Sequence, residues 1–389
     1  MYSYVNFAYG ATFGLNMYCF LLYCFLLLCS LRGNATNLYV KENNRGATVL
    51  LFCGILLFSL TAFVSEDFFH YYEEMFEYRG SVFGDQETGL EAFYQYLISF
   101  IDGDYFLFRL VVWGGSLVLT TYAIRNFGAN VYHTLFLILA GFIITFSYAR
   151  ATLAMAVFSF GLVLVSISSE RKLKDKVLLT IVGLVILSSS MFFHRSMLPM
   201  LVVAFCWVIM PWKRFLTKYS LWLFPIFVAV CAVILKNAFE ELFVVANAID
   251  DETGLLNKAE TYKEQEQVVH NINGYIRLGL HYATFFFPIL FASWSLRSEQ
   301  NLDAIGKKGI WLYQMVFLIA IFAISFTFLN IDSSVLFYRY LYMSFIPLSI
   351  LIAYMKDLGV LSKTQYLWIV AVFVLSNMLQ LFVAVYSQA

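Results

Sequence analysis

Charge is what this sequence has least of. Of 389 residues only 13% are Asp, Glu, Lys or Arg, and 5 are histidine. Soluble domains carry about 25% charged and about 45–50% apolar residues, so a soluble enzyme with a lipid anchor is excluded. A cysteine-based metal centre is missing too. Cys19, Cys24, Cys29, Cys53, Cys206 and Cys231 all fall inside apolar runs, with no CxxC pair and no Cys/His cluster. They read as small packing residues. The first apolar run lacks the basic n-region of a cleavable signal peptide and is therefore expected to remain as a span. No internal repeat, low-complexity segment or soluble domain interrupts the chain.

What the sequence has instead is apolar length. Hydrophobic residues make up 61%, with 41 Phe and 26 Tyr, and the mean hydropathy is +0.76. Apolar runs of about 20 residues recur throughout, enough to cross a bilayer as helix. They are continuous rather than alternating, which disfavours a β-barrel. The expected fold is an all-α integral membrane protein, one polytopic domain over residues 1–389 with about twelve transmembrane helices. The runs lie near 11–31, 47–65, 105–124, 129–148, 151–169, 177–193, 196–212, 219–236, 276–296, 309–329, 335–355 and 365–386.

Basic residues orient the bundle. Alternate connections hold sixteen Lys and Arg against six acids, leaving nine of 25 basic and nineteen of 25 acidic residues on the other face. The basic face is expected to be cytoplasmic. Both termini are then external, as are two long loops at about 66–104 and 237–275. Loops of that length are functional or disordered, and interleaved aromatics argue against disorder. "FFHYYEEMFEY" and "EAFYQYLISFI" in the first loop look helical, as does the end of "DDETGLLNKAETYKEQEQ" in the second.

Five arginines defy this segregation. Arg109, Arg150, Arg195, Arg277 and Arg339 each stand near the external end of a different span, and His194 precedes Arg195. Taken singly, each fits snorkelling to lipid phosphate or an ion pair with the first loop's acids. As a set they fit a shared anionic ligand, because guanidinium forks match phosphate in two-point contacts. Asp67 and Glu87 in the first loop are placed to accept a proton from a sugar hydroxyl. Tyr71, Tyr72, Tyr78, Phe93 and Tyr94 supply aromatic faces for sugar rings. Glu73, Glu74 and Glu77 read as solvated, His70, His270 and His281 have no assigned role, and His133 reads as a packing residue.

These motifs resemble the EpsG-like branch of the Wzy-type polysaccharide polymerases. The resemblance rests on "EDFFHYY" with Asp67 and Tyr71, "ETGLEAF" with Glu87 and Gly89, and "YARATLAMA" with Arg150, Leu153 and Ala154. "FFHRSML" with His194, Arg195 and Ser196 and "FYRYLYM" with Arg339, Tyr340 and Tyr342 complete it, covering about residues 60 to 350. Ala151 stands where the family often has Gln, and Thr88 where Pro is common. The resemblance implies a metal-independent glycosyltransferase without cofactors, in the bacterial cytoplasmic membrane. Its substrates would be undecaprenyl-pyrophosphate-linked oligosaccharides, one glycan being transferred to the non-reducing sugar of another outside the cell. Asp67, Glu87 and His194 would be catalytic; Arg150, Arg195, Arg277, Arg339, Tyr71 and Tyr340 would bind substrate. Membrane lipids and a chain-length regulator or flippase are the implied partners, with no nucleic acid.

Two rival classes share much of this pattern. A lipid-linked oligosaccharide flippase would place charges at mid-membrane depth and break matched spans with Gly or Pro, which this sequence does not do. An O-antigen ligase-like enzyme or a GT-C-type glycosyltransferase would also use lipid-phosphate sugars and outer loops; many of the latter rely on a metal and an acidic pair in the first outer loop, with which Glu66–Asp67 is compatible.

Overall fold

The computed structural model describes residues 21–30, 45–61, 92–102, 104–141, 149–194, 197–209, 214–249, 272–326 and 340–386, all of them helix or the turns between helices. The helices are α1 (Leu21–Ser30), α2 (Arg45–Thr61), α3 (Ala92–Phe100) and α4, which begins as Tyr105–Arg109, passes through a π turn at Leu110–Gly114 and continues as Gly115–Phe127. Next come α5 (Val131–Ala140), α6 (Ala149–Ser168), α7 (Leu173–Ser189), α8 (Met197–Ile209), α9 (Arg214–Lys218) and α10 (Ser220–Ile249). Last are α11 (Ile272–Ser295), α12 (Glu299–Phe326), α13 (Phe345–Asp357) and α14 (Lys363–Tyr386). No strand occurs among the described residues. Hydrocarbon offers the backbone no hydrogen-bond partners, so an apolar chain in a membrane satisfies them within each helix.

Every stretch expected to span contains helix. Among the described residues, five helices are long and apolar enough to cross a bilayer: Phe106–Phe127, Ala151–Ser168, Leu173–Phe192, Ser220–Asn237 and Glu299–Ser325. Some boundaries differ from those read off hydropathy. α10 continues to Ile249, thirteen residues beyond the expected end at 236 and into the stretch read as the second external loop. Its 30 residues extend about 45 Å, more than the ~30 Å of hydrocarbon. Hydropathy falls at Lys236–Asn237, but the Ala, Glu and Leu that follow are good helix formers, and nothing there ends a helix. α12 starts ten residues earlier than expected. Gly306 (φ 65°, ψ −176°), in a region only glycine occupies readily, separates its first seven residues from the long run that follows.

Position in the bundle follows composition. α5 is apolar on every face and each of its residues is buried; α13 is nearly so. A helix that is hydrophobic all round belongs at the centre. α7 and α10 lie at the periphery, exposing Val177, Leu178, Ile181 and Val185 on one and Trp222, Ile226, Val230 and Val233 on the other. In water such faces would aggregate; against acyl chains they are solvated. α6 is the hub, packing on α4, α7, α12 and α13. Its contact with α7 is backbone to backbone: a Cβ added to Gly161 would lie 2.7 Å from the backbone nitrogen of Leu187. Small residues of this kind let helices approach closely in membranes.

One end of the bundle gathers the basic connections. Lys308 Nζ donates to the Phe127 carbonyl (2.8 Å), and the Lys308 amide donates to Glu170 Oε1 (3.4 Å). The Asn130 amide donates to Asp357 Oδ2 (3.1 Å). Arg214 pairs with Asp303 (2.7 Å) and Glu299 (3.1 Å), and Lys218 with Glu299 (2.8 Å). These contacts join the ends of α4, α6, α9, α12 and α13, the same connections that charge counting assigned to one face. His133, read as a packing residue, is more than that. It is 4% exposed, and its Nδ1 lies 2.8 Å from Asp357 Oδ1.

Candidate functional site

Of the residues with expected chemical roles, four are described: Arg150, Arg277, His194 and Tyr340. Asp67, Glu87, Arg195, Arg339 and Tyr71 lie outside the described residues, as do Tyr72 and Tyr78. Arg150 is the second residue of α6 and Arg277 the sixth of α11, described at the level of the helix backbone. His194 and Tyr340 are described with their surroundings.

Helix geometry sets the depth of the two arginines. Arg150 precedes Ser168, the last residue of α6, by eighteen positions, and Arg277 precedes Ser295, the last residue of α11, by eighteen. Each therefore stands about 27 Å along its helix from the basic end, close to the thickness of hydrocarbon. α6 and α7 form an antiparallel hairpin turning at 169–172. α7 passes into a 3-10 turn at Ser190–Phe192, followed by Phe193 and His194. The His194 amide donates to the Ser190 carbonyl (3.1 Å), and its own carbonyl accepts from the Met197 amide (3.0 Å). The imidazole is thus carried on a tight, hydrogen-bonded link between α7 and α8, and the 3-10 turn packs against α6.

Arg109 joins this group. It is 4% exposed, on the last residue before the π turn of α4. Its Nη2 donates to the Ser59 carbonyl of α2, and its guanidinium carbon lies 4.9 Å from the centroid of the Trp113 ring. A π turn inserts a residue into the helical repeat, and such insertions recur at functional sites. The turn packs on α6, so α6, which carries Arg150, neighbours both the π turn that follows Arg109 and the 3-10 turn that precedes His194. Sequence reading placed Arg109 with the other arginines but gave it no role. The signal was there in "FRLVVW": Arg and Trp four apart share one helix face.

The first long loop reaches into this region. α3, within the patch expected to be helical, buries Tyr94 completely. The Tyr94 ring stands 5.9 Å from Phe108 and 5.3 Å from Phe93, and Phe93 in turn lies 4.5 Å from Phe193, beside His194. This corrects the expectation that Tyr94 offers a face to a sugar: the ring is consumed by packing. Apolar contact on all sides outweighs its single hydroxyl.

A second pair of elements meets nearby. Phe285 of α11 lies 6.1 Å from Tyr342 and 6.1 Å from Phe345. Tyr340, 6% exposed, sets its ring edge-on to Phe322 of α12 at 5.3 Å. The helix carrying Arg277 thus packs beside the segment that follows Arg339.

Apolar helices with lipid-facing flanks and a basic end define a polytopic helical membrane protein. Its comparison with protein families is equally plain. The chain matches the EpsG family over residues 44–389 and belongs to it. It is therefore a membrane protein of polysaccharide biosynthesis. Neither the curated proteins nor the solved structures compared with it give a match.

Proposed function

We propose that the protein is a polysaccharide repeat-unit polymerase of about twelve spans, with its basic end in the cytoplasm and both termini outside. It transfers a glycan from undecaprenyl pyrophosphate to the non-reducing sugar of a second lipid-linked unit at the outer face of the cytoplasmic membrane. The reading is supported most by one observation: α6, with Arg150 as its second residue, packs against the 3-10 turn that precedes His194. Membership of the EpsG family agrees with it.

In this reading the acceptor hydroxyl attacks the anomeric carbon of the donor. The bond from that carbon to the pyrophosphate oxygen breaks, and the electron pair leaves with the pyrophosphate. Arg150, Arg195, Arg277 and Arg339 meet the charge that develops there; a fixed donor of this kind is worth about 3 kcal/mol. The acceptor proton passes to one of Asp67, Glu87 or His194. Tyr71 lines the sugar path, Tyr340 supports it from its packed position against Phe322, and grooves between spans hold the prenyl tails. In this reading the arginines, rather than a metal, neutralise the charge on the departing pyrophosphate.

Arg150→Ala, Arg195→Ala and Arg339→Ala, made separately and expressed at wild-type abundance, should leave single repeat units at the surface. Wild-type polymer lengths in all three would rule out the leaving-group role.

A further inference from the structure

The basic end holds a cleft of about 620 Å³ lined by Lys218, Trp294, Arg297, Ser298 and Asn301 among others. It opens where α9, α11 and α12 meet, far from the arginines discussed above. The neighbouring cations of α9 are already engaged. Arg214 pairs with Glu299 and Asp303, and Lys218 with Glu299. The hydrogen bond from Lys218 to Glu299 holds its ammonium above the usual lysine range. Arg297 is different. Among the described residues no carboxylate lies within salt-bridge distance of it.

Arg297 is held by aromatic rings instead. Its guanidinium carbon lies 4.9 Å from the Trp294 ring centroid and 5.9 Å from that of Trp222. The two indoles are 59% and 63% exposed. Exposed tryptophans at the ends of apolar helices mark the headgroup level of a bilayer. Rings that pack on the face of a guanidinium leave its in-plane N–H groups outward, and that fork fits a phosphate in two-point contact.

We propose that this cleft is a binding site for the phosphodiester headgroup of an anionic glycerophospholipid, gripped by Arg297 and flanked by Trp294 and Trp222. Ser298 and Asn301 offer hydrogen bonds to the glycerol. A zwitterionic headgroup is disfavoured, since its ammonium needs a spare carboxylate and Glu299 is shared between Arg214 and Lys218. The bound lipid would fix α11 at the basic interface. Arg277, twenty residues before Arg297 on a chain that is helical to Ser295, would then be held about 30 Å away at the other boundary.

The test is native mass spectrometry of the full-length protein after exchange into micelles holding equal phosphatidylglycerol and phosphatidylethanolamine. Wild type should retain phosphatidylglycerol preferentially. Arg297→Gln should weaken that retention about tenfold, the loss of one charge-assisted contact, and Trp294→Leu should weaken it too. Arg171→Gln, which removes the same charge from the exposed α6–α7 turn, should not. A monodisperse elution profile for each variant separates lost binding from lost folding. Equal retention of the two lipids, or an equal effect of Arg171→Gln, would overturn the site. Displacement by soluble glycerol phosphate at equal concentration would show recognition of free phosphate and overturn the lipid assignment. So would preferential retention of a polyprenyl phosphate.

Discussion

Gly161 and Gly183 face each other across the α6–α7 hairpin with nothing between their backbones. A Cβ built on Gly161 would lie 2.8 Å from the Gly183 carbonyl oxygen, and one built on Gly183 would lie 3.0 Å from the Gly161 carbonyl. Neither obstacle is the flexible tip of a side chain, so the helices themselves must separate to admit a methyl group. Gly161→Ala or Gly183→Ala should therefore destabilise the protein by about 1–3 kcal/mol. Gly279, also within a helix, has nothing within 4 Å of its ideal Cβ. There alanine should stabilise by about 0.5–1 kcal/mol through helix propensity alone. Thermal melts in detergent would check both, and the opposite signs exclude a general intolerance of glycine replacement.

Arg109 ties α2 to the π turn of α4 through Ser59, with its guanidinium over Trp113. Arg109→Ala should cost about 1.5–3 kcal/mol, the range for a hydrogen bond to a charged group. Trp113→Leu leaves the Ser59 contact but should cost more than the cation–π interaction of about 0.5–2 kcal/mol that it removes, because Trp113 is buried and the smaller side chain leaves a cavity. Arg109→Lys should not restore the wild-type melting temperature, because a compact ammonium lacks the planar fork that reaches both partners. The same melts would measure all three, and full recovery with lysine would show that charge alone matters.

How much of this was legible beforehand follows from what a sequence records. Hydropathy reports the cost of leaving hydrocarbon residue by residue, so the positions of helices and the gathering of basic connections at one end were readable. Lateral neighbours leave no such trace. Nothing in "AFYQYL" says that Tyr94 is sealed beneath Phe108, and nothing around His133 points to Asp357, more than two hundred residues away. Helix ends were misread for a related reason. α10 stops being apolar at Lys236 but does not stop being helical, since hydropathy and helix propensity are separate quantities. Of the site, the places of Arg150 and Arg277 near one end of their helices were legible. The burial of Arg109 was not, because its partner is a carbonyl on another helix.

The His133–Asp357 contact should behave as a coupled pair. Asp357 also accepts from the Asn130 amide at 3.1 Å, and Lys356 Nζ lies 2.7 Å from His133 Nε2. It also lies 2.9 Å from Nδ1, so the ammonium sits beside both ring nitrogens. Asp357→Ala removes the acceptor of two donors, and His133→Ala removes one of them. The double mutant should lose less than the sum of the single losses, with a coupling energy of about 0.5–3 kcal/mol. Additive losses in a double-mutant cycle would mean that the contact contributes nothing to stability.

Orientation can be tested without reference to activity. If the basic end is cytoplasmic, residues 169–172, 296–298 and 358–362 share that side, and residues 101–104, before α4, share the other. Single cysteines replacing Lys172, Ser298 or Ser362 should react with a membrane-impermeant maleimide only after the cells are permeabilised. A cysteine replacing Asp102, which is exposed, should react in intact cells. The native cysteines need replacing first, because Cys29, Cys53 and Cys206 are exposed on the bundle's surface. Reaction of Lys172→Cys in intact cells would invert the topology. It would also place the His194 end, with Arg150 and Arg277, in the cytoplasm, where no externally displayed glycan could reach them. The polymerase reading and the sidedness of the basic end therefore stand or fall on the same experiment.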